Sequence, residues 1–576
     1  MPFVRSKLVV LLCFCALLAP LAVPTVGAQT IDPSRGADAR VDYDSLTRFG
    51  PWDDRNYQLT QDDLALLAKN EHEQLDPIPA FYRVELRKQF PQIRREGPAQ
   101  YPLSALNRYL IKYGGYQIDG QLYRGVRRAD GRFVVEVEKG PGVYEEYEKG
   151  GLIGGMTFES RVTMPNGAAE SAVVFNPTNT NRVIAGTNGP GGGQKMHWSS
   201  DGGATWTEVG LPLGNTCCDP TMVYSVDGST AWSSTLPGDF DGIWVYRSTN
   251  DGESWDDFPG DRVQVSSGFG DKQLLHLDDA AGSPHVGNIY LTWHEFNVML
   301  FGRSLDGGET WATQTVSSGG AESGVGSDIT SDGAGNIYYF WPAFNSRKIW
   351  MRKSTDGGVT FEPTVEVADT NASFNFFIPS QNSRGVAVIV HADADRTGGP
   401  FNGNVYAIWT DATTGAKNQA RVQVGVSSDG GATWTLTTPH ATDDVETIDR
   451  WQPYIRVAPD GAVHVIYNDT RNDPTRVGID VYHTISTDGG MTWSTPTRLT
   501  TETSRSPGDG FEFGDYSGLD IVFDQLIAIF TDNRNEGGGS GDSKDVYVAG
   551  TTIGNSSVFT DGFESGDTTA WSSETP

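Results

Sequence analysis

Cysteine and basic residues are scarce in this chain. Only 4 cysteines occur in 576 residues, and 43 Lys and Arg face 73 Asp and Glu, which gives a formal net charge of -30 at pH 7. So few cysteines exclude a disulfide scaffold, and the shortage of cations excludes a general binder of nucleic acid or of anionic membranes. We therefore expect a soluble, acidic monomer, without nucleic-acid or membrane partners, that is long enough to contain more than one domain.

Long apolar runs are also missing, except at the N-terminus. Arg5 and Lys7 precede an apolar run over residues 8–23, and small residues at 26–28 stand where a secretory cleavage site is expected. This run is too short for a convincing membrane span. The pattern predicts a signal peptide over residues 1–28 and a secreted protein, either extracellular or periplasmic.

Two cysteines remain after the predicted signal peptide, and they are adjacent in sequence. In an oxidising compartment Cys217 and Cys218 can form a vicinal disulfide bond, and two free thiols are the alternative.

One phrase of the form S-x-D-G-G-x-T-W is abundant. The Asp can accept backbone N–H bonds, a following Gly allows φ > 0, and the closing aromatic residue can anchor the turn by burial. In the second copy Asn250 takes the place of the Asp. Self-similarity of this kind predicts a repeat architecture. The six copies, which we call the boxes, span residues 199–206, 248–255, 304–311, 354–361, 427–434 and 486–493.

Strand patterns recur around each box. Four antiparallel strands per repeat are typical of a β-propeller blade. We call the strand that opens each repeat its first strand. Counting these first strands predicts seven blades over residues 156–552, and a six-bladed ring is the alternative. The seventh repeat has no box after it. We predict that residues 156–164 supply its outermost strand, because closure of the ring removes exposed sheet edges.

The segments on either side of the repeats have different patterns. Residues 29–150 predict a small α+β accessory region. Residues 553–576 are polar and rich in small residues, and we predict a disordered tail. The accessory region is expected to hold helices over 62–69, 79–89 and 104–113, and strands over 116–123, 133–139 and 144–149.

The boxes resemble the Asp box, or BNR repeat, of sialidases and related propeller proteins. This resemblance implies an all-β propeller. For a true sialidase it implies an arginine triad for the sialate carboxylate, a Tyr nucleophile and an Asp acid/base. Residues 516–519 look like the nucleophile-bearing stretch, with Tyr516 as nucleophile and Arg450 and Arg534 as two of the arginines. The F/Y-R-I-P phrase of sialidases is missing, since residues 158–161 read Phe-Glu-Ser-Arg.

The repeat also predicts where a site should lie. In a four-stranded meander the box follows the third strand, so the starts of the first strands and the ends of the second strands lie on the opposite face. A concave mouth there can bring polar groups together. Carboxylates can supply acid/base groups, arginines can clamp a carboxylate, and aromatic rings can stack on sugars. The catalytic candidates are Asp219, Asp271, Arg450, Tyr516 and Arg534; the substrate-binding candidates are Lys272, Trp293, Trp341, Trp451 and Arg471.

Five first strands begin near an aspartate, at positions 219, 271, 328, 449 and 515. Such a ring could hold Ca²⁺ through hard oxygen ligands. The alternative, which we favour, is that these carboxylates cap backbone N–H groups of neighbouring blades. We therefore expect no cofactor, with a structural Ca²⁺ as the alternative.

Three functions remain open at this point. One is a secreted, sialidase-like glycoside hydrolase that acts on terminal sialic acid or another acidic sugar. Another is a non-catalytic propeller that binds carbohydrate or protein, in adhesion or scavenging. The third is a polysaccharide lyase or hydrolase of plant or microbial glycans on a seven-bladed ring. The first two predict a glycan or glycoprotein as partner, and the resemblance alone does not decide whether the chain is an enzyme.

Overall fold

The structure is a computed structural model that describes two parts of the chain. It gives the backbone of four strands between residues 116 and 146, and then residues 158–553 apart from seven short gaps. The predicted signal peptide, the three predicted helices and the predicted tail lie outside the described residues. The gaps are at 164–167, 190–192, 213–215, 414–418, 441–446, 507–511 and 535–543.

The described strands of the accessory region form a separate antiparallel sheet in the order β1-β2-β3-β4. They correspond to the strands predicted there, with the first prediction divided into two strands. Their bounds are β1 Tyr116–Ile118, β2 Gln121–Arg127, β3 Phe133–Gly140 and β4 Val143–Glu146.

Antiparallel meanders make up nearly all the rest of the described chain. One strand, β13, is long enough to be the last strand of one meander and the first strand of the next. In chain order, the strands up to β16 are β5 Phe158–Arg161, β6 Ala169–Asn176, β7 Asn179–Asn188, β8 Gln194–Ser199, β9 Thr207–Gly210, β10 Thr221–Tyr224, β11 Ala231–Thr235, β12 Asp241–Ser248, β13 Val263–Leu277, β14 Ile289–Glu295, β15 Val298–Ser304 and β16 Ala312–Thr315.

The meanders continue in the same way to the end of the described chain, with one added hairpin of β21 and β22. Within the described residues the helical content is one 3₁₀ turn, Gly320–Glu322, and no helix is long and apolar enough to cross a membrane. The remaining strands are β17 Asp328–Ser331, β18 Ile337–Ala343, β19 Lys348–Ser354, β20 Val365–Asp369, β21 Asn375–Ile378, β22 Gln381–Ala387, β23 Val390–Ala394, β24 Val405–Ala412, β25 Ala420–Ser427, β26 Thr435–Thr437, β27 Arg450–Val457, β28 Val463–Asp469, β29 Gly478–Ser486, β30 Thr497–Arg498, β31 Ser504–Arg505, β32 Gly518–Val522, β33 Gln525–Asp532 and β34 Asp545–Thr552.

The first strands of the meanders contact one another in a closed cycle. The order is β6, β10, β13, β17, β23, β27, β32 and back to β6, which is the arrangement of a β-propeller. Strand β5 pairs with β34 as the outermost strand of the last meander, as the sequence predicts. Arg161 strengthens this pairing by an ion pair of 2.6 Å with Asp545.

Aspartates on the first strands tie neighbouring meanders together. A carboxylate oxygen of Asp520 accepts the backbone N–H of Phe175 at 2.7 Å, and one of Asp393 accepts that of Val457 at 2.8 Å. Both contacts cross from one first strand to the next. They satisfy backbone groups that the meanders themselves leave unpaired at the centre of the ring.

Apolar layers between successive sheets hold the meanders together. The second strands are buried on both faces and therefore read as apolar runs rather than alternating patterns. Strand β18, with the sequence IYYFWPA, is buried at every position. Buried apolar clusters form between the sheets in the described part of the chain, and one of them combines Ile184, Met222, Tyr246 and the box residue Trp255.

The boxes are self-contained turns, as their sequence predicts. In the fifth box Ser427 Oγ donates to Asp429 Oδ1 at 2.8 Å and accepts the N–H of Gly431 at 2.9 Å. Gly431 has φ near +87°, which favours glycine. Hydrogen bonds from the hydroxyl and backbone N–H of Thr433 lower the pKa of Asp429 to about 2. The same serine contacts recur in all six boxes.

Replacement of a box serine should destabilise the ring. Ser427→Ala removes a buried hydroxyl and leaves the N–H of Gly431 without its acceptor. We expect a loss of about 1–3 kcal/mol in the free energy of unfolding, measured by urea denaturation. Ser229→Ala, at an exposed turn serine outside the boxes, should change it by less than about 0.5 kcal/mol. Equal effects of the two changes would contradict this account of the boxes.

Candidate functional site

Polar side chains converge on the face opposite the boxes. Glu170 lies on β6, Asp219 just before β10, Asp271 and Lys272 on β13, and Asp515 and Tyr516 just before β32. Arg384 joins them from the added hairpin strand β22. We call these seven residues the mouth cluster. The starts of four first strands therefore supply six of its members, because the ring brings those starts together.

The backbone at the mouth is bent in an unusual way. Glu170, Asp219 and Lys272 have φ between +49° and +59°, a region that side chains other than glycine rarely adopt. The β6–β7 and β13–β14 pairings are irregular at Glu170 and Lys272. Bulges of this kind re-aim side chains, and strained backbone often marks a functional site.

Tyr516 is the centre of a hydrogen-bonded chain. Its hydroxyl donates to Asp219 Oδ1 at 2.8 Å, and the carboxyl groups of Asp219 and Asp271 hydrogen-bond to each other. Burial, followed by the charges of Asp219 and Glu170, raises the pKa of Tyr516 well above its usual value. The tyrosine is therefore neutral unless Asp219 takes its proton.

Asp271 is the member of this chain that holds a proton near neutral pH. Burial and the neighbouring charge of Asp219 raise the pKa of Asp271 to about 7. Its side chain is 34% exposed, so a ligand can reach it. His294 Nε2 lies 3.8 Å from Asp271 Oδ2. Burial and the charge of Lys272 lower the pKa of His294 to about 4, which keeps the imidazole neutral.

Asp515 organises the cations of the mouth. Its carboxylate accepts a hydrogen bond from Lys272 Nζ at 2.7 Å and two from Arg384, at 2.6 and 2.7 Å. Burial acts to raise the pKa of Asp515, but Lys272 and Arg384 hold it well below its usual range. Arg384 Nη2 also donates to Glu170 Oε1 at 2.6 Å. Burial and the charge of Asp515 raise the pKa of Glu170 to about 8.

The hairpin of β21 and β22 is fixed to the ring by a buried carboxylate. Glu512 accepts the backbone N–H groups of Asn382, Ser383 and Arg384 at 3.0 to 3.2 Å. Gly514 follows closely, with φ near +73°, and a Cβ there would lie 2.6 Å from Glu170 Cγ. The Glu512 bonds hold the hairpin strand that carries Arg384 next to this segment, and Gly514 lets the segment approach Glu170 on β6 closely.

A cavity of about 510 Å³ extends along the first strands below the mouth. Asp219, Lys272 and Tyr516 line it next to the mouth cluster, and its other lining includes Asp328 and Arg456. Its size and its combination of apolar walls with a few polar groups suit a small ligand or one or two sugar units.

Four residues predicted for the site are brought together by the structure, namely Asp219, Asp271, Lys272 and Tyr516. The three predicted arginines lie elsewhere. Arg450 is fully buried, with Nε 3.0 Å from Asp469 Oδ2. Arg471 Nη2 bonds the same oxygen at 2.7 Å. Arg534 bonds Asp532 and Glu159, the latter on the outermost strand β5.

The three predicted tryptophans lie in the core, which corrects the expectation that they stack on sugars. Trp293, Trp341 and Trp451 are each 0% exposed. Trp341 Nε1 donates to the carbonyl of Glu322 at 2.9 Å, and Trp451 packs on Phe513. A residue at the start of a first strand or at the end of a second strand lies near the mouth. Because side chains alternate between the two faces of a strand, however, these three rings point into the packing between sheets.

Two of the five predicted aspartates serve the ring itself. Asp328 accepts the backbone N–H of Ala392 at 3.0 Å, and Asp449 accepts that of Ala420 at 3.0 Å. These contacts match the capping alternative. No group of three or more His, Cys, Asp or Glu side chains suited to a metal ion occurs among the described residues, and the structural Ca²⁺ stays a prediction.

Cys217 and Cys218 form a disulfide bond in the structure. The pair directly precedes Asp219 and packs against the apolar cluster that contains Leu236 and Trp293. Cys217 N donates to the carbonyl of Leu236 at 2.8 Å. Gln273 Nε2 donates to the carbonyl of Cys218 at 3.3 Å. The segment before Asp219 is thus fixed from both sides.

Strand order alone places Glu170 and Arg384 on the mouth face, although neither is among the catalytic or binding candidates chosen from the sequence. Glu170 stands at the start of the first repeat, the position that Asp219 and Lys272 occupy in the next two. Glu512 is missed altogether, because its role depends on a contact with Arg384 between segments more than a hundred residues apart.

Comparison with known families and structures gives little beyond the fold. A family model described as a domain of unknown function (DUF8300) matches residues 42–127, which lie mostly before the described part of the chain. No curated protein matches the chain.

The solved structures that resemble the chain include β-propeller glycoside hydrolases. The phage phi92 endosialidase is 10% identical, with 72% of each chain covered and a TM-score of 0.41. The leech intramolecular trans-sialidase is 13% identical over 53% of this chain and 65% of its own, with a TM-score of 0.37. The Penicillium chrysogenum alpha-L-arabinanase is 13% identical over 59% of this chain and 94% of its own, with a TM-score of 0.37.

Removal of Arg384 should destabilise the mouth strongly. Arg384→Gln leaves Asp515 with Lys272 as the one cation bonded to it among the described residues and removes the hydrogen bond that Arg384 donates to Glu170, and both carboxyl groups are largely buried. We expect a loss of about 3–5 kcal/mol in the free energy of unfolding at pH 7, measured by urea denaturation.

The matched control is Arg182→Gln. Arg182 forms ion pairs with the more exposed Asp251 and Glu253, so its loss should cost about 1 kcal/mol or less. If Arg384→Gln costs no more than this control, the ion pairs of Asp515 do not hold the mouth together.

Proposed function

We propose that the chain is a glycoside hydrolase whose reacting groups are Tyr516, Asp219 and Asp271. The observation that carries this proposal is the hydrogen-bonded chain from the Tyr516 hydroxyl through Asp219 to the partly exposed Asp271. A nucleophile beside a base, with a protonated acid next to that base, supplies the three groups that a retaining glycosidase with a tyrosine nucleophile uses.

The first half of the reaction uses all three residues. Tyr516 Oη attacks the anomeric carbon as Asp219 takes its proton. The bond to the leaving oxygen breaks, and this oxygen takes the proton of Asp271. The products are a glycosyl-tyrosine and a free alcohol. Because the pKa of Tyr516 is raised, the attack depends on simultaneous proton transfer to Asp219.

The second half reverses the proton transfers. Asp271, now a carboxylate, takes a proton from a water molecule that attacks the anomeric carbon. The bond to Tyr516 breaks, and Asp219 returns the proton to the tyrosine oxygen. The hydrogen bond between Asp219 and Asp271 keeps one proton available to the pair throughout. Lys272, with Nζ 5.8 Å from the Tyr516 ring, offsets negative charge on the departing phenolate.

The charges of the mouth favour a neutral sugar over sialic acid or another acidic sugar. An acidic sugar needs a cation that can pair with its carboxylate. Among the described mouth residues the cations are Lys272 and Arg384, and both already bond Asp515. An added carboxylate would have to displace Asp515 or remain unpaired in a partly buried site, and both cost free energy.

Three further proposals accompany this one. The closed cycle of first strands supports a seven-bladed propeller. The basic and apolar pattern of residues 1–28 and the Cys217–Cys218 disulfide support export to an oxidising compartment. A glycan or glycoprotein is the proposed partner, and non-catalytic glycan binding is the alternative function.

Hydrolysis can be tested with a panel of 4-methylumbelliferyl glycosides of neutral sugars, with the sialoside included. We expect release of 4-methylumbelliferone from at least one neutral glycoside, and a loss of at least a hundredfold in kcat for Tyr516→Phe, which lacks the attacking oxygen. Turnover of the sialoside alone would overturn the neutral-sugar assignment. No turnover of any substrate above the Tyr516→Phe background would overturn the hydrolase and favour the binding alternative.

The pH profile tests the role of Asp271. A general acid must be protonated, so with a pKa of about 7 we expect kcat/KM to fall as the pH rises through about 7. Asp271→Asn should lower kcat by about 10²–10⁴ for a sugar leaving group and abolish this basic limb.

A glycosyl fluoride is the matched substrate, because fluoride leaves without a proton. Asp271→Asn should therefore retain far more of its glycosylation rate with the fluoride than with an oligosaccharide. Equal losses on both substrates would show that Asp271 is not the acid.

A further inference from the structure

Three phenylalanine rings stack on the mouth face, and two of them are exposed. Phe240 and Phe269 have ring centroids 5.7 Å apart at 29°, and Phe269 and Phe296 have centroids 5.8 Å apart at 24°. Phe269 is 50% exposed and Phe296 is 75% exposed. We call these three residues the aromatic platform. Contiguous exposed apolar surface of this kind usually marks a binding site.

Two of the platform residues have backbone conformations that phenylalanine rarely adopts. Phe296 follows β14 in a two-residue turn to β15, and its φ is near +55°. Glycine or asparagine is favoured at such a position, and a bulky residue there is an outlier. Phe240, between β11 and β12, has φ near +59°. Two large apolar rings therefore occupy strained backbone positions that small polar residues would fill more favourably, and one of them, Phe296, is also exposed.

The platform adjoins the proposed acid. Phe269 and Asp271 are two residues apart on β13, so their side chains lie on one face of the strand with Cα atoms about 7 Å apart. Asp271 pairs with His294 and Gly270 with Glu295, which places the Phe296 turn directly beyond. A ligand that touches Asp271 on this side would reach the rings next.

A rigid base supports the platform. Phe240 packs against a buried cluster that includes Leu236, Ile243 and Trp293, and the Cys217–Cys218 disulfide packs against the same cluster. Carboxylates of Asp239, Asp241 and Glu295 stand beside the rings in sequence and can accept hydrogen bonds from sugar hydroxyls. Apolar faces bordered by such acceptors suit a sugar ring, whose one face is apolar and whose edge carries hydroxyls.

From these positions we infer that the aromatic platform is a second sugar subsite, which holds the leaving-group side of a neutral glycan chain. The inference rests on the proposed function, because it is the role of Asp271 as acid that places the leaving group on this side. The acidic rim repels an anionic chain, so the occupant is a neutral oligosaccharide or polysaccharide rather than polysialic acid.

Binding tests the platform without any need for turnover. Affinity electrophoresis in gels that contain arabinan, xylan or mixed-linkage β-glucan, with polysialic acid as the anionic comparison, gives apparent dissociation constants. In the full-length protein carrying Asp271→Asn, we expect retention by at least one neutral polysaccharide. Adding Phe269→Ala or Phe296→Ala should weaken it about tenfold, equivalent to about one stacking contact.

Phe523→Ala is the matched control. Phe523 is 56% exposed, has φ near +55°, and occupies a two-residue turn between β32 and β33. This turn follows a first strand and so lies on the face that carries the boxes. The control should bind as the parent protein does. Equal loss from Phe296→Ala and Phe523→Ala would overturn the inference.

Kinetics give an independent measure where the protein is a hydrolase. The ratio of kcat/KM for an oligosaccharide to kcat/KM for the corresponding glycosyl fluoride should fall about tenfold in Phe296→Ala, because fluoride does not occupy the platform. A ratio that does not change would overturn the inference even if hydrolysis itself is confirmed.

The outcomes separate the two proposals. Platform-dependent binding without turnover would support the subsite and overturn the hydrolase. Turnover with unaltered binding and ratio in both Phe variants would do the reverse. Failure to bind any neutral polysaccharide, tighter binding to polysialic acid, or a dimer in light scattering that Phe296→Ala dissociates would each overturn the subsite, the last by assigning the platform to a second copy of the chain.

Discussion

The pairing of β5 with β34 is the constraint on which the rest of the ring depends. It joins residues almost four hundred positions apart, through the Arg161–Asp545 ion pair and a backbone ladder. Without it the last meander would present an unpaired edge, and the contact between β32 and β6 would have no outer support. That contact matters for the site, because it brings Tyr516 and Asp515, before β32, towards Glu170 on β6. Closure of the ring and assembly of the mouth are therefore one event.

Once the ring is closed, two local features hold the mouth cluster together: the backbone conformation at three strand starts and the ion pairs of Asp515. Positive φ at Glu170, Asp219 and Lys272 turns successive strand starts inwards, and Asp515 joins the cations that would otherwise repel one another. The arrangement leaves Asp219 and Asp271 in contact, and burial together with the charge of Asp219 raises the pKa of Asp271 to about 7. Strain and burial are thus concentrated at the place where the proposed acid and the proposed base would have to differ in protonation at the same pH.

Much of this could be predicted from the sequence, because the relevant physics is local. The box turns depend on residues within five positions of each other, and the strand count follows from repeated apolar runs. The direction of strands in a meander then identifies the mouth face, and with it Asp219, Asp271, Lys272 and Tyr516. Arg450 and Trp293 show where this reasoning ends. Both lie at strand ends near the mouth, yet Arg450 pairs with buried Asp469 and Trp293 packs between sheets. A repeat predicts at which end a residue lies, but not whether its side chain points to the axis or into the packing.

Residues whose place in the site depends on long-range contacts are harder to select from the sequence. Strand order places Arg384 on the mouth face, but its position there depends on Glu512, which holds a distant hairpin. Phe240, Phe269 and Phe296 form one surface because β13 runs from one meander into the next. That shared strand carries Asp271 two positions beyond Phe269. If β13 belonged to one meander alone, Phe269 and the proposed proton donor Asp271 would not lie two positions apart on one continuous strand. The continuity of β13 thus links the chemistry proposed for the mouth to the proposed sugar subsite, because its fifteen residues carry both Asp271 and Phe269.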